Sequence, residues 1–217
     1  MPCDLRRRWP LVLTGLAAGS SVPAYLWAAQ HVRGYRHSAQ PVTWAGASGQ
    51  PDAWFFNLFA LIVPGLLMTA VAWMLRARLP AGSGWPARLG AQMALLACLA
   101  MLAQGLWTLD VEAMQGAATR RHATAWMVWT IATTIAAALL AIGTWRWPRW
   151  RALAGSSAWL AIIMPLAPAV LTMVIPGPLL QRLLWLAWWL WWLAIGWTLA
   201  RVADPAATGR DAAAALR

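Results

Sequence analysis

The chain has 217 residues, of which 61% are apolar and only 11% are charged, and its formal net charge is +11. A soluble domain usually carries about 25% charged residues, so this composition excludes an ordinary soluble protein and predicts one compact helical membrane domain. The positive charge does not indicate a nucleic-acid partner, because no soluble module is left to present a basic face.

Six apolar stretches are long enough to cross a bilayer, which takes about 20 residues at roughly 1.5 Å per residue. The predicted fold is therefore an all-α, six-transmembrane-helix bundle that forms a single domain over residues 1–217. The Ala-rich segment 202–217 is predicted to be a flexible tail. The helices are expected at approximately 9–30, 53–75, 89–109, 123–145, 152–175 and 179–199.

All seventeen basic residues are arginines, and they alternate between arginine-rich and arginine-poor gaps. Arginine accumulates on the cytoplasmic side of membrane proteins. The richer set therefore predicts a protein of the bacterial inner membrane with both termini inside, its surface arginines in contact with the lipid bilayer. The richer set is Arg6, Arg7, Arg8, Arg76, Arg78, Arg88, Arg146, Arg149, Arg151, Arg201, Arg210 and Arg217; the poorer set is Arg33, Arg36, Arg120, Arg121 and Arg182.

The first apolar stretch has an alternative interpretation as a cleaved secretory signal. Three arginines precede it, and the small residues Ala28 and Ala29 lie near its end, as in a signal peptide. Retaining the stretch gives an even number of helices and keeps every arginine-rich gap on one side. We therefore predict that it remains as the first helix.

None of the predicted helices carries an ionisable side chain at its middle. Such groups usually mark proton and ion pathways, so their absence disfavours a pump or a charge-lined pore. A small-molecule transporter is further disfavoured because no internal repeat relates the two halves of the chain. Pro165 and Pro168 are expected to bend the fifth helix.

The sixth predicted helix is rich in tryptophan. At about 100° per residue, Trp185, Trp188, Trp189 and Trp192 fall on one arc, whereas Trp191 points away. Such a stripe is typical of lipid-facing or helix-packing surfaces. It could also form a wall for a bound lipid, quinone, carotenoid or other pigment, or a docking face for other membrane-protein subunits.

One cluster on the outer side has side chains suited to chemistry. Asp110 and Glu112 follow the third helix closely, and His122 opens the fourth; the first loop adds His31, His37 and Asp52, the last of these just before the second helix. Histidine and carboxylate groups can bind zinc or act as general acid and base. The spacing matches no established metal motif, so we predict no metal site and keep Asp110 and His122 only as catalytic candidates.

Several short motifs resemble those of a bacterial and archaeal membrane-protein family, domain of unknown function 998. They are the stretch from Asp52 to Phe59 with Pro64 to Leu67, then Leu109-Asp110, Arg121-His122-Ala123 and Gln181-Arg182-Leu183. The resemblance implies a six-helix integral membrane protein. Its recurring residues correspond here to Asn57, Asp110, His122, Gln181 and Arg182, all at the outer ends of their helices.

Two classes of function follow. The first is a non-catalytic protein, either an accessory or structural subunit of a larger membrane complex or a binder of lipid, pigment or quinone through its Trp-rich helices. Asn57, Gln181, Arg182 and the four tryptophans of the stripe are its candidate ligand-binding or partner-binding residues. The alternative is a membrane-embedded enzyme or lipid-handling protein with a shallow outer site around Asp110 and His122, where Arg182 would recognise an anionic headgroup.

Overall fold

The computed structural model describes residues 2–202, and the described part of the chain is helical, without strands. Six helices within it are long and apolar enough to cross a membrane, which confirms the predicted number of spans and the all-α class. Most of the predicted tail, 202–217, lies outside the described residues. The helices are α1 (Pro2–His31), α2 (Ala53–Arg78), α3 (Gly84–Leu106), α4 (Ala117–Thr144), α5 (Arg151–Leu171) and α6 (Gly177–Arg201).

Several helix ends differ from the expected ones. Helix α3 begins at Gly84 and ends at Leu106, about three to five residues before the predicted bounds, and α4 begins at Ala117, before two arginines and His122. A helix can continue past its apolar core because the long arginine side chain keeps its charge in polar surroundings. Helix α5 ends at Leu171, where the Leu171 carbonyl accepts bonds from the amides of Val174 and Ile175 in a closing turn.

Helices that follow one another in the sequence also pack against one another in space, and α6 returns to pack on α1. The bundle is therefore a closed ring, with an additional contact between α2 and α6. One end carries the long connection 32–52 and the turns 107–116 and 172–176; we call it the loop end. The other end carries the start of α1 and the end of α6; we call it the terminal end.

Helix α2 contains one π-helical stretch, Asn57–Ile62, in which each turn holds an extra residue. The Ser21 hydroxyl on α1 donates a hydrogen bond to the Ala60 carbonyl oxygen at 2.7 Å. On the other side, Gly105 of α3 approaches so closely that a Cβ atom there would lie 2.9 Å from the Asn57 carbonyl oxygen. Neighbouring helices thus hold this wide turn from two directions.

Large side chains of α6 fill the centre of the ring. Trp188 and Trp192 are completely buried, and the Trp188 ring reaches across to Trp129 of α4, with 5.6 Å between ring centroids. Trp191 lies on another face of α6, where its indole N–H donates to the Ser157 hydroxyl of α5 at 2.8 Å. The tryptophans of α6 from Trp185 to Trp192 therefore pack inside the protein, whereas Trp197 near its end is exposed.

Candidate functional site

Arg182, near the start of α6, holds the long connection 32–52 against the bundle through hydrogen bonds. Its guanidinium donates to the hydroxyl oxygens of Tyr25 and Tyr35, each at 2.6 Å. It also donates to the carbonyl oxygens of Pro178 at 2.6 Å and Gln40 at 2.9 Å. Four hydrogen bonds occupy most of the five donors that a guanidinium offers. Most of the Arg182 donors are therefore used in hydrogen bonds within its own chain.

The surroundings of Arg182 are aromatic and neutral. The guanidinium carbon lies 5.5 Å from the Tyr25 ring centroid and 5.8 Å from that of Tyr35, within the range of a cation–π interaction. Tyr25 also shares a 2.7 Å hydrogen bond with Nδ1 of His37. Burial raises the pKa of Tyr35 well above its ordinary value, and the hydrogen bond with Tyr25 adds to this shift. The phenol is consequently held in its neutral form beside the arginine.

Gln181 and Asn57 hold the same connection through its backbone. The Gln181 side-chain oxygen accepts a hydrogen bond from the Val42 amide at 3.0 Å, and the buried Asn57 amide donates to the Gly46 carbonyl oxygen at 2.8 Å. A Cβ atom on Gly46 would collide with the Phe56 ring and lie 2.6 Å from Oδ1 of Asn57. The short helical turn Val42–Gly46 therefore rests directly on the ends of α2 and α6.

Asp110 and His122 each have local partners rather than each other. The Asp110 carboxylate accepts hydrogen bonds from the amides of Glu112 and Ala113, each at 3.1 Å. His122 is buried, and its Nδ1 lies 2.8 Å from the Trp107 carbonyl oxygen. Because a carbonyl can only accept, Nδ1 carries the proton. The two catalytic candidates thus stabilise the turn between α3 and α4.

The remaining titratable residues of this end do not gather around one point. Nδ1 of His31 lies 2.8 Å from a carboxylate oxygen of Asp52, which ties the end of α1 to the start of α2. Within residues 2–202, no group of three or more His, Cys, Asp or Glu side chains lies close enough together to hold a metal ion.

The Trp stripe of α6 faces protein along its length. Trp185, Trp188, Trp189 and Trp192 are all buried, and successive members contact each other edge-to-face at 4.8–6.1 Å between centroids. Of these four, only Trp185 borders a described cavity. The stripe is a packing surface, and its first residue, Trp185, borders a space of about 30 Å³.

A cavity of about 290 Å³ lies between α4, α5 and α6 toward the loop end; we call it the lateral cavity. Most of its walls are apolar, and Pro168 of α5 is one of the lining residues. A small space of about 30 Å³ adjoins it, sharing Trp126, Trp129 and Gln181 as walls. Other residues of the lateral cavity wall are Pro41, Thr130, Met164, Thr172, Pro178, Leu180 and Leu184.

Two N–H donors in these shared walls have no acceptor in the described part of the chain. The Trp129 indole N–H is buried and unpaired. The Gln181 side-chain oxygen accepts from the Val42 amide, which leaves its NH₂ group without an acceptor among residues 2–202. The Trp129 nitrogen has no accessible surface, whereas Gln181 is a partly exposed residue of the cavity wall. The lateral cavity therefore offers an apolar space next to one accessible donor, the Gln181 NH₂ group, that a carbonyl group would satisfy.

Sequence reasoning found Asn57, Gln181 and Arg182 but missed their partners. The partners of Arg182 are Tyr25 and Tyr35, which are the two tyrosines of the chain. Their rarity among so many tryptophans was a usable signal, because a phenol brings a hydroxyl that can meet a guanidinium. The lateral cavity was also missed, since its walls come from three helices and one loop proline.

Comparisons with protein-family models, with curated proteins and with solved structures found no match to this chain. The resemblance to domain of unknown function 998 therefore stays a prediction. What can be stated of the chain is its class: a helical protein with six spans suited to a membrane.

Proposed function

We propose that this chain is a non-catalytic integral membrane protein that binds a lipid-like molecule, either a lipid or a quinone, in the lateral cavity. The apolar part of the ligand lies between α4, α5 and α6, and a carbonyl group of the ligand accepts a hydrogen bond from the Gln181 NH₂ group. The observation that carries the proposal is the meeting of an apolar cavity with Gln181, whose side-chain oxygen is bonded to Val42 while its NH₂ group remains available.

The size of the lateral cavity and the composition of its walls support this class of ligand. Small-molecule sites are mostly apolar, hold a few polar groups and measure about 300–1,000 Å³. At about 290 Å³, the lateral cavity is at the lower end of that range, which favours one acyl or prenyl tail, or one quinone ring, over a large pigment. The membrane supplies such molecules at high local concentration, so a site of modest affinity is sufficient.

The arginine distribution supports placement in a bacterial inner membrane with the terminal end in the cytoplasm, because twelve of the seventeen arginines belong to that end or its flanking tail. The lateral cavity would then open near the outer leaflet.

Catalysis at Asp110 and His122 is less well supported, since both side chains are occupied in the turn that they stabilise.

The test uses the full chain purified in detergent and a quinone with a ten-carbon tail. Quinones quench tryptophan fluorescence, and Trp126 and Trp129 line the cavity, so binding is followed by quenching. Thr130→Phe fills the cavity, and we expect binding about tenfold weaker, which corresponds to roughly 1.4 kcal/mol. Organic extraction and mass spectrometry of the purified protein report any lipid or quinone that it retains.

Ile131→Phe is the matched control, because Ile131 is the next residue on α4 and is exposed on the outside of the bundle. It should bind as the unmodified chain does. Equal binding by both variants would contradict the proposal. Purification with a stoichiometric protein partner and no retained lipid would instead support the accessory-subunit hypothesis.

A further inference from the structure

The terminal end carries a groove that the proposed function does not use. Arg7 of α1, Arg149 in the turn before α5 and Arg201 at the end of α6 line it together, with Trp197 and Thr198 beside them. The groove has a volume of about 480 Å³. The described lining residues include no aspartate or glutamate, so within the described part of the chain three guanidinium groups share one space without an acidic neighbour.

Two of these arginines are held in place by the fold. Arg7 donates from Nε to the Ala200 carbonyl oxygen at 2.8 Å and from a terminal nitrogen to the Arg201 carbonyl oxygen at 2.9 Å. These are carbonyls at the end of α6, where helices leave acceptors unpaired. Arg201 lies over the Trp197 ring, with 4.0 Å from the guanidinium carbon to the ring centroid. Both charges are thus positioned before any ligand arrives.

Like charges gathered in one groove repel each other, and an anion with several oxygen acceptors relieves that repulsion. Phosphate oxygens match the fork of donors on a guanidinium. The groove lies at the end of three membrane-spanning helices, and basic pockets between such helices bind phosphorylated lipid headgroups. Trp197 adds the amphipathic ring that is typical of the membrane–water interface.

We propose that Arg7, Arg149 and Arg201 form a binding site for the phosphate of an anionic phospholipid. Arg149 is exposed and donates no hydrogen bond to any group within residues 2–202, so its donors are available to the phosphate. Arg201 contributes a second charge from above Trp197. The site lies at the opposite end from the lateral cavity and does not depend on it.

Native mass spectrometry of the detergent-solubilised full chain tests the site, with dioleoyl phosphatidylglycerol as the anionic probe and dioleoyl phosphatidylcholine as the zwitterionic one. We expect phosphatidylglycerol to bind at least about fivefold more tightly. Arg149→Gln and Arg201→Gln should each weaken phosphatidylglycerol binding about fivefold, as expected for loss of one charge-assisted contact. Arg7 is left unchanged because its side chain caps α6.

Arg88→Gln is the control. Arg88 is an exposed arginine near the start of α3, outside the groove, and its loss removes the same charge from the same end. We expect less than a twofold change. An equal loss for Arg88→Gln and Arg149→Gln would overturn the site in favour of diffuse attraction. If glycerol phosphate competes at the same concentration as the lipid, the ligand is a free phosphate compound, and the lipid assignment is wrong.

Discussion

Arg182 at the loop end and the pair Arg149 and Arg201 at the terminal end serve opposite purposes, although Arg7 at the terminal end also donates to its own chain. At the loop end, Arg182 donates to two phenols and two carbonyl oxygens of its own chain. At the terminal end, Arg149 and Arg201 share a groove in which none of the described lining residues is acidic. A guanidinium whose donors are taken up internally stabilises the fold, whereas one with free donors is available to a ligand. Position in the membrane topology alone does not distinguish the two.

The largest expected effect is at Arg182. Arg182→Met removes four hydrogen bonds to a charged group, each of which contributes about 1.5–3 kcal/mol when it is fully buried. Because the site is only half-buried and the freed partners regain hydrogen bonds to water, we expect the free energy of unfolding to fall by about 3 kcal/mol. Unfolding is measured in mixed micelles with increasing dodecyl sulfate. Arg149→Gln, the matched change at the terminal end, should alter the unfolding free energy by less than about 0.5 kcal/mol. Equal stability of the two variants would contradict the contrast between the ends.

A smaller effect is expected at Asn57. Asn57→Ala removes the donor to the Gly46 carbonyl and should cost about 1–2 kcal/mol, since a buried acceptor is left unpaired. Proteolysis within the connection 32–52 should accelerate, because the turn Val42–Gly46 is released from α2. Gln115→Ala, an exposed change at the same end, serves as the control and should leave cleavage unchanged. Unaltered cleavage in Asn57→Ala would show that the other contacts hold the connection 32–52 in place without Asn57.

The smallest effect concerns pH. The pKa of Tyr35 is raised in the folded protein, whereas in the unfolded chain it is near 10. Stability should therefore be independent of Tyr35 ionisation below about pH 10 and should fall above it, because only the unfolded chain readily loses the proton. Unfolding midpoints between pH 8 and 11 measure this fall. Tyr35→Phe should reduce its slope, and an unchanged slope would assign the fall to other groups.

The sequence was sufficient to predict the six membrane spans, because the length and apolar composition of a span follow directly from bilayer thickness. It was less informative for helix ends, where α4 begins six residues before the expected 123, since arginines are compatible with both a helix end and a loop. It also could not separate interior from lipid-facing tryptophans, because lipid and protein interiors are similarly apolar.

The candidate site, like the fold, was predicted only in part from the sequence. Asn57, Gln181 and Arg182 were identified as residues, but their partners lie 11, 139 and 157 positions away along the chain. Two of the three partners are backbone groups, which any residue supplies and no sequence pattern marks. The role of these side chains in holding the connection 32–52 therefore emerged only from the three-dimensional arrangement.

The closed ring has a consequence for how the protein is made. Helices inserted in order of synthesis can each pack on the one before, but the partner of α1 on its second side is α6, the last helix to be completed. Helix α6 is also the most buried of the six described spans. Without α6, the bundle would lack Trp188 and Trp192, the fully buried side chains that fill its centre.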